Sequence, residues 1–155
     1  MIKIVEACRE IAWKGGTPRS KYAYNGGSPT SAYKRAYRKY FGKYSRLKAS
    51  RCDLSVALVA RMACGAKMPK GNQEQLHWKP KKKLGYKAYR NVRPIDVLKH
   101  GNIGVYQKKN GHRHSIVYTE NGLYQAQYRK TFMHYLRSHK KLKPKRSKVV
   151  VFYEK

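Results

Sequence analysis

The stretch KASRCDLSVALVARMACG, residues 48–65, joins a cysteine to a nearly continuous apolar run. Leu54 and the residues from Val56 to Ala60 would be apolar on almost every side of a helix, which is typical of a buried helix. Ser50 is a good N-cap residue, and Asp53 three positions later completes a capping-box-like S-x-x-D pattern. The pattern predicts a buried helix over residues 50–64, with Cys52 at its second position.

Cys52 has two interpretations. At the amino end of a helix, the unpaired N–H groups and the positive end of the helix dipole favour a thiolate, and Arg51 adds positive charge. A buried helix with a cysteine at its tip is an arrangement that suits nucleophilic catalysis. Alternatively, Cys52 is a small core residue, because free cysteine is often buried. Cys8 and Cys64 are interpreted in that second way.

A thiol nucleophile needs a base, and two of the six histidines lie in a predicted strand over residues 112–119. Alternation along a strand puts His112 and His114 on the same face. A base also needs a group that orients its other nitrogen. The next predicted strand, residues 122–128, offers Gln125 and Gln127 for this role, although an exposed polar strand face would look the same.

The elements around the central helix predict an α+β fold, because helices come first and short strands follow. Further helices are expected over residues 2–13, 31–44 and 129–137, with a loop over 14–30. Tyrosine-rich and valine-rich runs predict strands, and KKNG and ENG predict hairpin turns. The strands are expected over residues 86–92, 102–107, 112–119, 122–128 and 149–153, as an antiparallel meander and a final strand.

The chain has 155 residues, which suits a single domain over 1–155 with basic insertions and a basic C-terminal segment, 137–148. Lys and Arg number 37 against 7 Asp and Glu, a formal charge of +30 that favours polyanionic partners. The three cysteines have no C-x-x-C spacing, so neither a disulfide framework nor a zinc ribbon is expected. Residues 1–13 do not resemble a signal peptide, and no run is long enough for a membrane span.

Several strings resemble the NlpC-like cell-wall cysteine peptidases, a rearranged branch of the papain-like fold. RCDLSVALVARMACGAKMPKGNQEQ (51–75) is similar to the nucleophile helix of that family and the segment after it. VRPIDVLKHGNIGVYQKKNGHRHSIVYTENGLYQAQY (92–128) is similar to its later strands, and YAYNGGSP (22–29) to its Y-x-W-G-G lead-in. The resemblance covers residues 22–128.

The resemblance implies an α+β papain-like NlpC-type fold and a thiol hydrolase without a cofactor. Cys52 matches the nucleophile, His114 the base, Gln125 the third polar residue and Tyr22 the tyrosine beside the oxyanion. The implied substrate is an amide bond in peptidoglycan stem peptides. The implied role is cell-wall lysis or remodelling by a protein of phage origin. The implied location is the cell wall, the extracellular space or a virion.

The charge supports a rival interpretation, a non-catalytic protein that binds nucleic acid or belongs to a virion on a peptidase-like scaffold. Basic residues interleaved with tyrosines suit phosphate contacts and base stacking, and they equally suit anionic wall polymers. The candidate polyanion-binding residues are Lys34, Arg35, Arg38, Lys39, Lys81, Lys82, Lys83, Lys140, Lys141, Lys143, Lys145 and Arg146. A zinc site at His112, His114 and Cys52 is a third option, for which no fourth ligand is evident.

Overall fold

The computed structural model describes residues 3–15, 17–20, 23–25, 27–49, 52–65, 86–99, 102–107, 113–119, 122–125, 133–135 and 146–152. The helices are α1 (Ile4–Ile11), α2 (Ser31–Phe41), α3 (Arg46–Ala49), α4 (Cys52–Cys64) and α5 (Pro94–Val97). The strands are β1 (Thr17–Ser20), β2 (Ala23–Asn25), β3 (Tyr86–Val92), β4 (Asn102–Gln107), β5 (Arg113–Thr119), β6 (Gly122–Gln125), β7 (Met133–Tyr135) and β8 (Ser147–Phe152). The predicted α+β class is confirmed.

The strands form two sheets. β1 and β2 make an antiparallel pair, and the other six follow the order β3-β8-β4-β5-β6-β7, with every neighbouring pair antiparallel. The predicted meander is present from β4 to β6, and β7 extends it by one strand that the sequence did not predict. The last described strand, β8, lies between β3 and β4, next to the β3 edge of the sheet.

The larger sheet carries apolar residues on both faces. Ile103, Val105 and Val117 belong to one buried cluster with the apolar residues of α1, α2 and α4. Ile116 belongs to a second cluster with Leu98 and residues of β8. Helices therefore cover one face, which we call the helix face, and the other face buries its own smaller core, which we call the far face.

A capping residue at each end sets the bounds of α2. The Thr30 side chain accepts a hydrogen bond from the backbone N–H of Tyr33 at 3.1 Å, which is an N-cap interaction. Gly42 has φ 90°, a conformation that glycine adopts without steric cost, and it ends the helix before the predicted limit at residue 44. Tyr33 and Tyr37 are the buried residues of α2.

Two segments differ from the sequence-based prediction. The sequence predicts a loop over residues 14–30, yet β1 and β2 pair there as antiparallel strands, and Lys14 pairs with Ser28. Residues 129–137 were expected to be a helix, yet Met133–Tyr135 pairs with β6 as β7. In both segments a neighbouring strand offers backbone hydrogen bonds that local sequence patterns do not reveal.

No helix in the described part of the chain has the length and apolar character to cross a membrane.

Candidate functional site

Cys52 is the first residue of α4, one position nearer the helix start than the sequence predicts. It is a thiol that forms no disulfide within the described part of the chain, and the residue is only 8 % exposed. The predicted N-cap Ser50 and its neighbour Arg51 lie outside the described residues, as does the side chain of Asp53. The tip of a buried helix therefore carries the cysteine, as expected.

Two hydroxyl groups hold the last residue of α3, which precedes α4 in the chain. The carbonyl oxygen of Ala49 lies 2.9 Å from Tyr33 Oη and 3.0 Å from Ser55 Oγ, and the two hydroxyl oxygens are 2.9 Å apart. Burial raises the pKa of Tyr33 above its ordinary value. The hydrogen bond with Ser55 acts in the opposite direction but is the smaller effect, so the net shift is upward. Tyr33 therefore stays protonated and able to donate. This triangle ties α2 and the first turn of α4 to the residue three places before Cys52.

His114 is the second residue of β5 and is 4 % exposed. It lies opposite Tyr106 of β4 in the sheet register. α4 packs against β5, so the structure brings the element that carries Cys52 beside the element that carries His114.

The register of β5 determines the side to which His114 belongs. Gly104 lies opposite Ile116, and it also lies opposite Val151 of β8, so these three residues share the far face of the sheet. Because side chains alternate along a strand, His114 belongs to the same face as Ile116, and Val117 belongs to the helix face. The register therefore puts the His114 side chain on the face opposite the one that α1, α2 and α4 cover.

The other two predicted catalytic residues are placed less fully. Gln125 is the last residue of β6, which pairs with β5, and it lies opposite Met133 of β7. The side chain of Gln125 and the whole of Tyr22 lie outside the described residues. The structure thus puts the strand of Gln125 beside the strand of His114, in the predicted order.

Cys8 is fully buried between helices, and its burial raises the pKa of the thiol above its ordinary value. It therefore stays protonated, in agreement with its interpretation as a core residue. Cys64 is the last residue of α4, and its side chain lies outside the described part. Among the described residues, no group of three or more His, Cys, Asp or Glu side chains could hold a metal ion, and His112 lies outside them.

Four of the predicted polyanion-binding residues form one described surface on α2. Arg35, Arg38 and Lys39 are exposed, and Lys34 is half-buried with its ammonium 5.6 Å from the centre of the Tyr44 ring. Arg146 is exposed and donates a hydrogen bond to the carbonyl of Asn91 at 3.1 Å. The remaining candidates lie outside the described residues, and they are Lys81, Lys82, Lys83, Lys140, Lys141, Lys143 and Lys145.

Sequence reasoning missed the Tyr33–Ser55 triangle and one buried serine. Ser115 Oγ is buried and has no hydrogen-bond partner among the described residues. Strand alternation puts Ser115 on the helix face with Val117. A serine within the otherwise apolar run SIVY is visible in the sequence. Whether Ser115 is buried depends on which face of β5 the helices cover, and the sequence does not show that.

Comparison with protein-family models and with curated proteins finds no match for this chain. The similarity of its strings to the NlpC-like peptidases therefore stays a prediction from the sequence.

Proposed function

We propose that the chain is a thiol hydrolase on a papain-like, NlpC-type scaffold, and that it cleaves an amide bond in peptidoglycan stem peptides. One arrangement supports the proposal most directly: Cys52 begins a buried helix that packs on β5, the strand that carries His114. The strand with Gln125 follows in the order that the resemblance implies.

The chemistry proceeds in two steps. The thiolate of Cys52 attacks the amide carbonyl, the C–N bond breaks, and protonated His114 gives its proton to the leaving amine. Water then gives a proton to the neutral imidazole as it attacks the thioester, the C–S bond breaks, the acid is released, and the thiolate and protonated His114 are restored. Both steps need the imidazole within hydrogen-bond reach of sulfur or water, so the proposal requires His114, which the register of β5 assigns to the far face, to reach the Cys52 thiol.

Replacement of Cys52 by serine tests the nucleophile. Release of soluble peptides from purified cell walls should fall by roughly a thousandfold or more, because the enzyme loses its covalent step. Cys8→Ala is the matched control, since it removes a thiol that is buried among helices, and it should retain release. Equal release by wild type and Cys52→Ser, or no release from walls of any type, would contradict the proposal.

His114→Gln tests the base separately. The amide keeps similar size and polarity but cannot exchange a proton, so the pH dependence of release should disappear along with most of the activity. If Cys52→Ser is inactive while His114→Gln retains the wild-type pH profile, the nucleophile stands and His114 is not its base.

The register of β5 favours a second candidate function, because it puts His114 on the face opposite α1, α2 and α4. In this alternative, the chain binds a polyanion through its basic surface and has no catalytic activity. Binding of polymer that is unchanged in Cys52→Ser, together with the absence of peptide release by wild type, would favour this alternative.

A further inference from the structure

Residues of α1, α2 and α4 line an open groove of about 330 Å³, which we call the α2 groove. This volume lies near the lower end of roughly 300–1,000 Å³ for small-molecule sites. Its half-buried lining is apolar or aromatic, and its exposed lining is charged. The half-buried residues are Ala32, Ala36, Tyr40 and Met62, and the exposed ones are Glu10, Arg35 and Lys39.

The helical spacing of α2 gives the groove its shape. Ala32, Ala36 and Tyr40 are four residues apart, so they form one row along the helix. Ala32 and Ala36 carry only a methyl group each, so the row is low at these two positions and higher at the Tyr40 ring. We call the low part of the row the trough. The Lys39 ammonium lies 5.3 Å from the centre of the Tyr40 ring.

Arg35 and Lys39 form a neighbouring row on the same helix, also four residues apart. Like charges at this spacing destabilise a helix, and an anion between them offsets that repulsion. α2 has no acidic residue in its first turn. The charge of this edge is complementary to a phosphate group.

The lining contributed by α1 includes a carboxylate, Glu10, in contrast to the two cations that α2 contributes. A carboxylate accepts hydrogen bonds from N–H donors and repels phosphate. A polyol-phosphate wall polymer carries anions but no flat apolar group, so it would leave the trough unfilled. A nucleotide combines a phosphate, a flat base and N–H donors on the edge of the base.

We propose that the α2 groove binds a nucleotide of a single-stranded nucleic acid. The phosphates contact Arg35 and Lys39, the base lies in the trough beside Tyr40, and the N–H edge of the base faces Glu10. The proposal goes beyond the hydrolase function and does not depend on Cys52.

Charge is tested with the double variant Arg35→Gln/Lys39→Gln in the full-length chain. The matched control is Lys87→Gln/Arg90→Gln, which removes the same charge from exposed positions on β3. Binding of a fluorescein-labelled single-stranded DNA is measured by anisotropy at several salt concentrations. The slope of log affinity against log salt is negative, and in the groove variant its magnitude should decrease by about 1.4, about 0.7 for each lost phosphate contact. Equal slopes in the two variants would overturn the proposal.

Recognition of the base is tested with an abasic DNA of the same length and charge. The wild type should bind the base-containing DNA at least about fivefold more tightly, the lower end of what one stacked base contributes. Ala32→Leu, which fills the trough without changing charge, should reduce this ratio to near one. The control Ala88→Leu, at an exposed position on β3, should not. Thermal unfolding of each variant checks that it is folded.

Two outcomes would assign the groove to something else. If wild type binds abasic and base-containing DNA equally well, the trough does not hold a base and the proposal is wrong. If purified wall teichoic acid displaces the DNA and Ala32→Leu weakens the binding of teichoic acid itself, the groove binds wall polymer.

Discussion

At the scale of the residue, the carbonyl oxygen of Ala49 shows how the chain supports the tip of α4. Three oxygen atoms lie within 3.0 Å of one another, but the two hydroxyls provide only two hydrogens. At any moment two of the three contacts are hydrogen bonds, and either Tyr33 or Ser55 can donate to Ala49. Each hydroxyl can therefore replace the other as the donor to this buried carbonyl.

This redundancy predicts non-additive stability effects. Tyr33→Phe and Ser55→Ala should each lower the free energy of unfolding by about 1 kcal/mol, because the remaining hydroxyl still donates to Ala49. The double variant removes both hydroxyl donors and should cost about 1 kcal/mol more than the sum of the single variants. Urea unfolding of the four proteins measures the coupling.

Tyr44→Phe is the control for this cycle, because it removes a hydroxyl from the same aromatic cluster. Tyr44 Oη is buried without a hydrogen-bond partner among the described residues, so its removal should leave stability unchanged or raise it. Additive effects at Tyr33 and Ser55 would show that the two hydroxyls act independently.

The buried thiol of Cys8 predicts a pH dependence. Its pKa in the folded chain is raised above the ordinary value of 9.0, so the unfolded chain loses this proton first as the pH rises. The stabilising contribution is complete below about pH 9 and is lost above it, at up to about 1.4 kcal/mol per pH unit. The difference in unfolding free energy between wild type and Cys8→Ala should therefore shrink between pH 8.5 and 10, by roughly this slope above pH 9. A constant difference would contradict the prediction.

At the scale of the element, Gly104 lets the segment after α5 pack closely on β4. A Cβ atom at this position would lie 2.6 Å from Leu98 Cδ2 and 3.1 Å from Leu98 Cδ1. Leu98 is buried, so its side chain has little room to move. The glycine in the predicted strand NIGVYQ is therefore a requirement of packing on the far face.

Gly104→Ala should lower the free energy of unfolding by about 1–3 kcal/mol, the usual cost of excess volume in a packed core. In a Leu98→Ala background the same change should cost much less, because the clashing methyl groups are gone. Chemical denaturation of the two single variants and the double variant tests the coupling. Equal costs in the two backgrounds would show that Leu98 is not the obstacle.

At the scale of the whole molecule, the net charge of +30 opposes folding, because the compact state brings the cations together. Raising NaCl from about 0.01 M to about 0.1 M shortens the Debye length from about 30 Å to about 10 Å. The melting temperature should therefore rise over this range. Sucrose at the same osmolarity leaves the ionic strength unchanged, so it should not produce the same rise. A melting temperature that falls with NaCl would contradict a dominant role for self-repulsion.

The sequence predicts those elements whose signals are local. The apolar run predicts α4, and tyrosines at helical spacing predict α2. Tyrosine-rich and valine-rich runs with a turn signal between them predict β4 and β5. The pair β1–β2 and the strand β7 are not predicted, because pairing with a neighbouring strand determines their structure, whereas their composition suggests a loop and a helix. The position of β8 between β3 and β4 depends on contacts that are distant along the chain.

The candidate site divides in the same way. The sequence alone determined the α+β class, the charge and the location of Cys52 at a helix tip, because apolar periodicity and residue type act locally. Only the tertiary structure decided that His114 shares the far face with Ile116, that Tyr33 and Ser55 meet at Ala49, and that α1, α2 and α4 enclose a groove. These depend on strand register and helix packing, in which residues far apart in the chain come together and exclude water as one cooperative unit.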